Sequence, residues 1–166
     1  MSIVRLSDTI AKALMVLAAS WAFVLCFIIL VDVIGRTLFS TPLHGTIEIV
    51  ANSIVMIVFL QAAYAIRSYS MLRTEVLLGI MGPTARRVAL GFADLIGAAF
   101  FLIILLGGID PAIRSFISGE FEGEGALRVP VWPTRWVILI GSALSIINYL
   151  VLFYIDVFAP ERREDA

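Results

Sequence analysis

Four long apolar runs dominate the chain, and short polar segments separate them. None of the runs contains a charged residue; they cover residues 13–31, 49–66, 95–109 and 136–155. The hydrocarbon core of a bilayer is about 30 Å thick and takes about 20 helical residues to cross. The third run reaches that length only if its helix begins near residue 88 and includes Asp94. The pattern therefore predicts four transmembrane helices, over about 13–35, 46–67, 88–110 and 135–157.

The composition favours a membrane protein over a soluble one. Of the 166 residues, 61% are hydrophobic and 15% are charged, and the mean hydropathy is +1.03. Soluble domains have about 45–50% apolar and about 25% charged residues. The first run follows Arg5 and Lys12, as in a signal peptide, but it is longer than the usual apolar core of about 7–15 residues. We expect it to be retained as a helix, and residues 1–166 to form a single all-α membrane domain.

The basic residues between the runs predict the orientation, because lysine and arginine concentrate in cytoplasmic loops. One side of the predicted spans carries eight of them: Arg5, Lys12, Arg67, Arg73, Arg86, Arg87, Arg162 and Arg163. The other side carries four: Arg36, Arg114, Arg128 and Arg135. We therefore predict two antiparallel helical hairpins, with both termini in the cytoplasm.

The three connections differ in length and composition. The first is a tight turn with Pro42 and Gly45, which favours a hairpin of spans one and two. The second contains an apolar segment, 74–82, that is too short to cross a membrane; we expect an interfacial helix or an extension of a neighbouring span. The third is an outer loop over 111–134, which holds the acidic sequence GEFEGEG at 119–125 and is expected to be exposed and mobile.

Residues suited to catalysis or metal binding are scarce. His44 is the only histidine and Cys26 the only cysteine, which excludes a bis-histidine haem, a multi-thiolate metal site and an internal disulfide within one chain. No phosphate-binding loop, serine-hydrolase motif or zinc-protease motif occurs. The net charge of −1 and the scattered basic residues argue against nucleic-acid binding. The sequence thus predicts a protein that is not an enzyme and needs no cofactor or metal.

Polar residues at the outer ends of the first two spans are the main candidates for a site. Asp32 and Arg36 share a helix face at the end of span one, four residues apart. Glu48 and Asn52 repeat that spacing at the start of span two. The helix dipole favours Arg36 at a carboxyl end and Glu48 at an amino end. A cluster of Asp32, Arg36 and Glu48 could fix the hairpin, dock a partner or border an ion path, in that order of preference.

Deeper polar residues do not suggest a transport path. Asp94 falls near the cytoplasmic end of span three, within reach of Asp156 and of basic residues on that side. Gln61 and Asn148 are candidates for interhelical hydrogen bonds, each worth about 0.6–2 kcal/mol. A proton or cation relay needs a succession of ionisable groups through the membrane, and here the middle layer is apolar.

Three segments, taken in order, carry a family resemblance. They are DVIGRTLFSTPLHGTIEIV at 32–50, RSYSMLRTEVL at 67–77 and LRVPVWPTRW at 127–136. Together they resemble the small membrane subunit, or Q subunit, of tripartite ATP-independent periplasmic (TRAP) transporters. The matching positions are Asp32, Arg36, Gly45 and Glu48 in the first segment and Arg128, Pro130 and Trp132 in the third. Met71 departs from the pattern, since many relatives would have a histidine there.

The resemblance implies a three-part secondary transporter. A periplasmic solute-binding protein captures a carboxylate solute, and a large multispanning permease carries it inward by symport with sodium. The small subunit would be a scaffold in the bacterial inner membrane, surrounded by lipid, that broadens the stationary part of the permease and binds no substrate. Partner-interface or helix-packing residues are then expected at Asp32, Arg36, Glu48, Asn52, Asp94, Arg128 and Trp132.

Other functions stay open at this point. A homo-oligomeric small channel or carrier would need polar groups aligned through the membrane, for which Gln61, Ser145 and Asn148 are thin support. A membrane anchor for a redox enzyme would need haem ligands, which are missing. The acidic outer loop either helps to receive the periplasmic protein through complementary charge or is a solvated linker.

Overall fold

The structure consists almost entirely of long helices. It is a computed structural model that describes residues 2–41, 43, 45–68, 81–123 and 128–158. Its helices are α1 (Ser2–Phe39), α2 (Thr46–Arg67), α3 (Pro83–Ser118) and α4 (Trp132–Phe158). Between α3 and α4, two short strands pair antiparallel: β1 (Phe121–Glu122) and β2 (Val129–Pro130). All four helices are long and apolar enough to cross a membrane, which confirms the all-α fold with four transmembrane helices.

The helices extend beyond the uncharged runs. α3 continues through Pro111 and ends at Ser118, where Gly119 adopts a left-handed conformation with φ 62°. The α3–α4 connection is therefore shorter than the 111–134 loop that the hydropathy pattern indicated, because a helix does not have to stop at the first charged residue after an apolar run. The predicted interfacial segment 74–82 falls outside the described residues, apart from Met81 and Gly82.

The main contacts follow the order α1, α2, α4, α3. α1 packs against α2, α2 against α4, and α4 against α3. The centre of the core combines residues of α2, α3 and α4: Phe59, Ile66, Phe101, Tyr149 and Leu152. The outer helices keep large apolar side chains exposed, as with Phe23 on α1 at 66% and Ile103 on α3 at 71%. Such surfaces are compatible with lipid or with another membrane protein, since lipid tails are as apolar as the side chains.

Small residues on α4 allow its neighbours to come close. A Cβ added at Gly141 would lie 2.5 Å from the carbonyl oxygen of Phe59 on α2. Two turns along, the Asn148 side-chain amide donates to the carbonyl oxygen of Ala63 at 3.0 Å. This is the kind of interhelical hydrogen bond predicted for Asn148, and it holds α2 and α4 in register. Close backbone approach through small residues is typical of helix pairs in membranes.

Candidate functional site at the loop end of the bundle

The α1–α2 turn and the α3–α4 connection meet at one end of the bundle. Asn52, in the first turns of α2, donates its side-chain amide to Glu122 Oε2 in β1 at 2.9 Å and to the carbonyl oxygen of Glu48 at 3.0 Å. We call this region, residues 32–52 and 110–135, the loop end. It contains six of the seven predicted site residues, all except Asp94.

Asp32 organises the α1–α2 turn. Its side chain is only 9% exposed, and its Oδ1 accepts the backbone N–H of Leu43 at 2.9 Å. Its Oδ2 accepts from Arg36 Nη2 at 3.0 Å. The carbonyl oxygen of Leu43 in turn accepts the Thr46 hydroxyl at 3.0 Å. One carboxylate therefore ties the end of α1 to the start of α2, while the Arg36 side chain stays 60% exposed.

The backbone of this turn requires unusual conformations. Ser40 and Gly45 have positive φ angles of 52° and 84°, a region that costs a residue with a side chain about 1–2 kcal/mol. The N–H of Thr41 donates to the carbonyl oxygen of Gly35 at 3.2 Å, and a Cβ at Gly35 would lie 2.9 Å from the Thr41 carbonyl oxygen. The contacts of Asp32 stabilise this tightly folded turn.

Glu48 does not join the Asp32–Arg36 pair. Within the described residues its side chain makes no hydrogen bond or ion pair; only its carbonyl oxygen is engaged, by Asn52. The expected three-residue cluster is therefore a two-residue pair. Glu48 is itself a carboxylate, so it could join the pair only through Arg36, whose guanidinium is bonded to Asp32 within α1. The link between the two helices is made instead by the Leu43 N–H on the other oxygen of Asp32.

The α3–α4 connection is held by an ion pair that the sequence reasoning missed. Arg135 forms a two-pronged contact with Glu120: Nη1 lies 2.9 Å from Oε2, and Nη2 donates to Oε1 at 2.9 Å. Nη1 also donates to the carbonyl oxygen of Pro111 in α3 at 2.8 Å. Paired forks of this kind are stronger than single contacts. The only signal in the sequence was the presence of a glutamate where the loop begins and an arginine where α4 begins.

Aromatic contacts complete the connection. The Arg128 guanidinium lies 4.5 Å from the centre of the Phe121 ring, within the range of a cation–π interaction. Trp132, at the start of α4, meets Phe116 of α3 edge to face, with ring centres 5.6 Å apart. The described part of the connection is thus held at several points, more than its glycine-rich sequence indicated.

Two of the three acidic side chains in this connection have partners within the chain. Glu120 pairs with Arg135, and Glu122 accepts from Asn52. Glu124, the third, lies outside the described residues. These contacts give Glu120 and Glu122 a structural role, whatever else they contact.

Asp94 lies apart from the other candidates, toward the opposite end of α3. It is 2% exposed, as is Asp156 on α4. The two helices are in close contact there, since a Cβ at Gly91 would lie 2.8 Å from Val157 Cγ2. Two buried carboxylates therefore occupy the same part of the α3–α4 interface.

Between these two carboxylates and the loop end, the described residues that are buried in the interior are uncharged. Its buried polar groups include Ser145, whose hydroxyl donates to the carbonyl oxygen of Gly141 at 2.8 Å, and Asn148. Among the described residues there is no group of three or more His, Cys, Asp or Glu side chains that could hold a metal ion.

The fold and the site together define a multi-pass membrane protein in which several charged residues at the loop end, among them Asp32 and Arg135, hold the connections between its helices. Residues 25–158 match the family model described as "Tripartite ATP-independent periplasmic transporters, DctQ component". The match covers most of the chain, so the protein belongs to the DctQ family, the small membrane component of TRAP transporters, and the resemblance seen in the sequence is confirmed. This is a family of transporter components that work with a large permease and a solute-binding protein, not an enzyme family. No curated protein and no solved structure matches the chain.

Proposed function

We propose that the chain is the scaffold subunit of a sodium-coupled TRAP transporter for a carboxylate solute. In this role it stabilises a large permease in the bacterial inner membrane, with both of its own termini in the cytoplasm, and a periplasmic protein delivers the solute. Family membership supports the assignment to a tripartite transporter. The sodium gradient, the carboxylate and the scaffold role are drawn from the resemblance of the 32–50, 67–77 and 127–136 segments to small TRAP subunits.

The observation that carries the scaffold role is that the middle of the bundle is uncharged in the described part of the chain, since the buried carboxylates Asp94 and Asp156 lie toward one end. Moving an ion or a carboxylate through a membrane protein takes polar or charged groups at successive depths. Here the four apolar runs contain no charged residue, and the interior amide of Asn148 is occupied by the Ala63 carbonyl oxygen. The solute path therefore belongs to the permease.

The outer helices supply surface for a large partner. α1 has its main contacts with α2 alone, and its apolar side chains are exposed along most of its length, among them Phe23, Phe27 and Leu30. At the loop end, the exposed Arg36 head and the partly exposed Glu48 add two charges next to this surface. A permease that packs on α1 would find apolar contact in the membrane and polar contact at its edge.

Copurification and uptake test this proposal. The full chain, tagged and expressed with the permease and binding-protein genes of its own transporter, is expected to purify with the permease, and sodium-dependent carboxylate uptake in cells is expected to require the chain. A chain that purifies only as a homo-oligomer and conducts ions in liposomes by itself would contradict the proposal and support the small channel or carrier instead.

A substitution inside the bundle separates a scaffold from a transport path. Asn148→Leu removes an interior amide, and Gln61→Leu removes the partly buried amide of α2. If the chain is a scaffold, uptake per assembled complex stays at the wild-type level in both variants, because no solute passes these positions. A loss of uptake in both variants at unchanged complex yield would place the path inside this chain.

A further inference from the structure

A groove opens between α3 and α4 at the end of the bundle opposite the loop end. Its volume is about 450 Å³, within the range of about 300–1,000 Å³ that is usual for ligand sites. Its walls are apolar and consist of Val88, Gly91, Phe92, Leu95, Phe153 and Val157. Thr84 and Arg87, from the first turns of α3, also line it, so the groove is polar at the helix start and apolar toward the middle of the membrane.

Arg87, which lines this groove, differs from most other arginines in the described part of the chain. Side chains are described for six arginines, and four of these have contacts within the chain: Arg36 with Asp32, Arg114 with the Asp110 carbonyl oxygen, Arg128 with Phe121, and Arg135 with Glu120. The side chains of Arg86 and Arg87 are exposed and make no hydrogen bond, ion pair or ring contact with a described residue. Arg87 thus brings to the polar end of the groove one positive charge that has no partner among the described residues, whereas Arg86 is not part of the groove lining.

The start of α3 adds further positive potential. Gly82 precedes the helix and provides no side-chain capping bond. The first N–H groups of a helix carry a partial positive charge and attract anions. Arg87 and the hydroxyl of Thr84 therefore share one region with a helix end that favours a negative group.

The two parts of the groove together specify an amphipathic ligand. Free phosphate would pair with Arg87 but leave the apolar walls uncovered, and a zwitterionic lipid would cover the walls but bring a second positive charge close to the arginine. We propose that the groove binds one anionic phospholipid, with an acyl chain along its apolar walls and the phosphate beside Arg87 and Thr84. Basic sites of this kind at the cytoplasmic end of transmembrane helices suit acidic headgroups.

Native mass spectrometry with defined lipids tests the proposal. The full chain is exchanged into micelles that contain dioleoyl phosphatidylglycerol or, separately, dioleoyl phosphatidylcholine, and the retained lipid is counted. The wild type is expected to retain phosphatidylglycerol preferentially. Arg87→Gln is expected to weaken that retention about fivefold, since one basic residue near an anionic surface contributes about 1 kcal/mol.

Arg114→Gln is the matched control, because it removes one exposed arginine from the other end of the same helix. It is expected to leave phosphatidylglycerol retention unchanged. Equal losses in the two variants would mean a diffuse effect of net charge and would overturn the proposal.

Val88→Trp tests the apolar part of the groove at constant charge. Val88 is 67% exposed, so the larger ring can occupy the groove without entering the core, and an unchanged thermal unfolding midpoint verifies this. Retention of dioleoyl phosphatidylglycerol is expected to fall, and glycerol phosphate without acyl chains is expected not to bind. Binding of glycerol phosphate as strong as that of the lipid would overturn the proposal.

Discussion

At the scale of single residues, Asp32 shows how hydrogen bonds stabilise a buried carboxylate at the end of a helix. Its two oxygens have separate functions: one accepts the Leu43 N–H and the other accepts Arg36. The exposures of the pair are unequal, 9% for the aspartate side chain and 60% for the arginine. Ion pairs with one solvent-exposed member contribute little to the free energy of unfolding. The hydrogen bond from the turn backbone therefore stabilises the fold more than the ion pair does.

This inequality gives a prediction for two single substitutions. Asp32→Ala leaves the Leu43 N–H without its acceptor and should lower the free energy of unfolding by about 1–3 kcal/mol. Arg36→Gln removes only the exposed partner and should cost less than about 1 kcal/mol. Thermal unfolding in detergent measures both. Equal losses would mean that the ion pair, not the backbone bond, stabilises the turn.

At the scale of elements, the contact between α2 and α4 depends on the absence of a side chain. Gly141 lets the two helices approach until its Cα faces the Phe59 carbonyl, and the Asn148 amide then reaches Ala63. Helix pairs in membranes have no hydrophobic driving force between them, so close packing and interhelical hydrogen bonds supply the stabilisation. The apolar pattern of the sequence identified both helices but not which faces meet.

Two glycine-to-alanine changes test this contact. Gly141→Ala places a methyl group 2.5 Å from backbone, so α2 and α4 must separate, at a cost of about 1–3 kcal/mol. Gly107→Ala in α3 is the control, because a Cβ there meets nothing within 4 Å; it should stabilise the helix by up to about 1 kcal/mol. The measurement is the thermal unfolding midpoint of the isolated chain. Similar destabilisation by both variants would show that the close approach of α2 and α4 does not determine the stability of the chain.

At the scale of the whole molecule, the two ends of the bundle have different characters. The loop end, with its paired charges and short strands, gathers four arginines that each have a contact within the chain. The opposite end carries the groove with Arg87. In the whole sequence, eight lysines and arginines fall on the side of this second end and four on the side of the loop end. This excess predicts that the second end faces the cytoplasm.

Cysteine labelling tests the orientation. In a Cys26→Ala background, which removes the only native cysteine, Ser118→Cys should react with a membrane-impermeant maleimide in intact cells, because Ser118 is exposed at the loop end. Ser2→Cys should react only after the inner membrane is permeabilised. The reverse pattern would invert the predicted topology.

The sequence by itself determined the number of membrane-spanning helices, the absence of charged residues from the middle of each span, and the family. These follow from composition along the chain, since each crossing needs about 20 apolar residues whatever its neighbours are. Asp32 and Arg36 were predictable as a pair for the same local reason, a spacing of one helical turn.

Only the tertiary structure decided which polar groups meet across the connections. It paired Glu120 with Arg135 and Asn52 with Glu122, left Glu48 out of the turn cluster, and placed Arg87 beside an apolar groove. None of these follows from spacing, because each depends on how far α3 extends and on which faces of the helices pack. Local pattern determines what a segment can be in a membrane, whereas the contact between distant segments depends on the shapes of the surfaces they bring together.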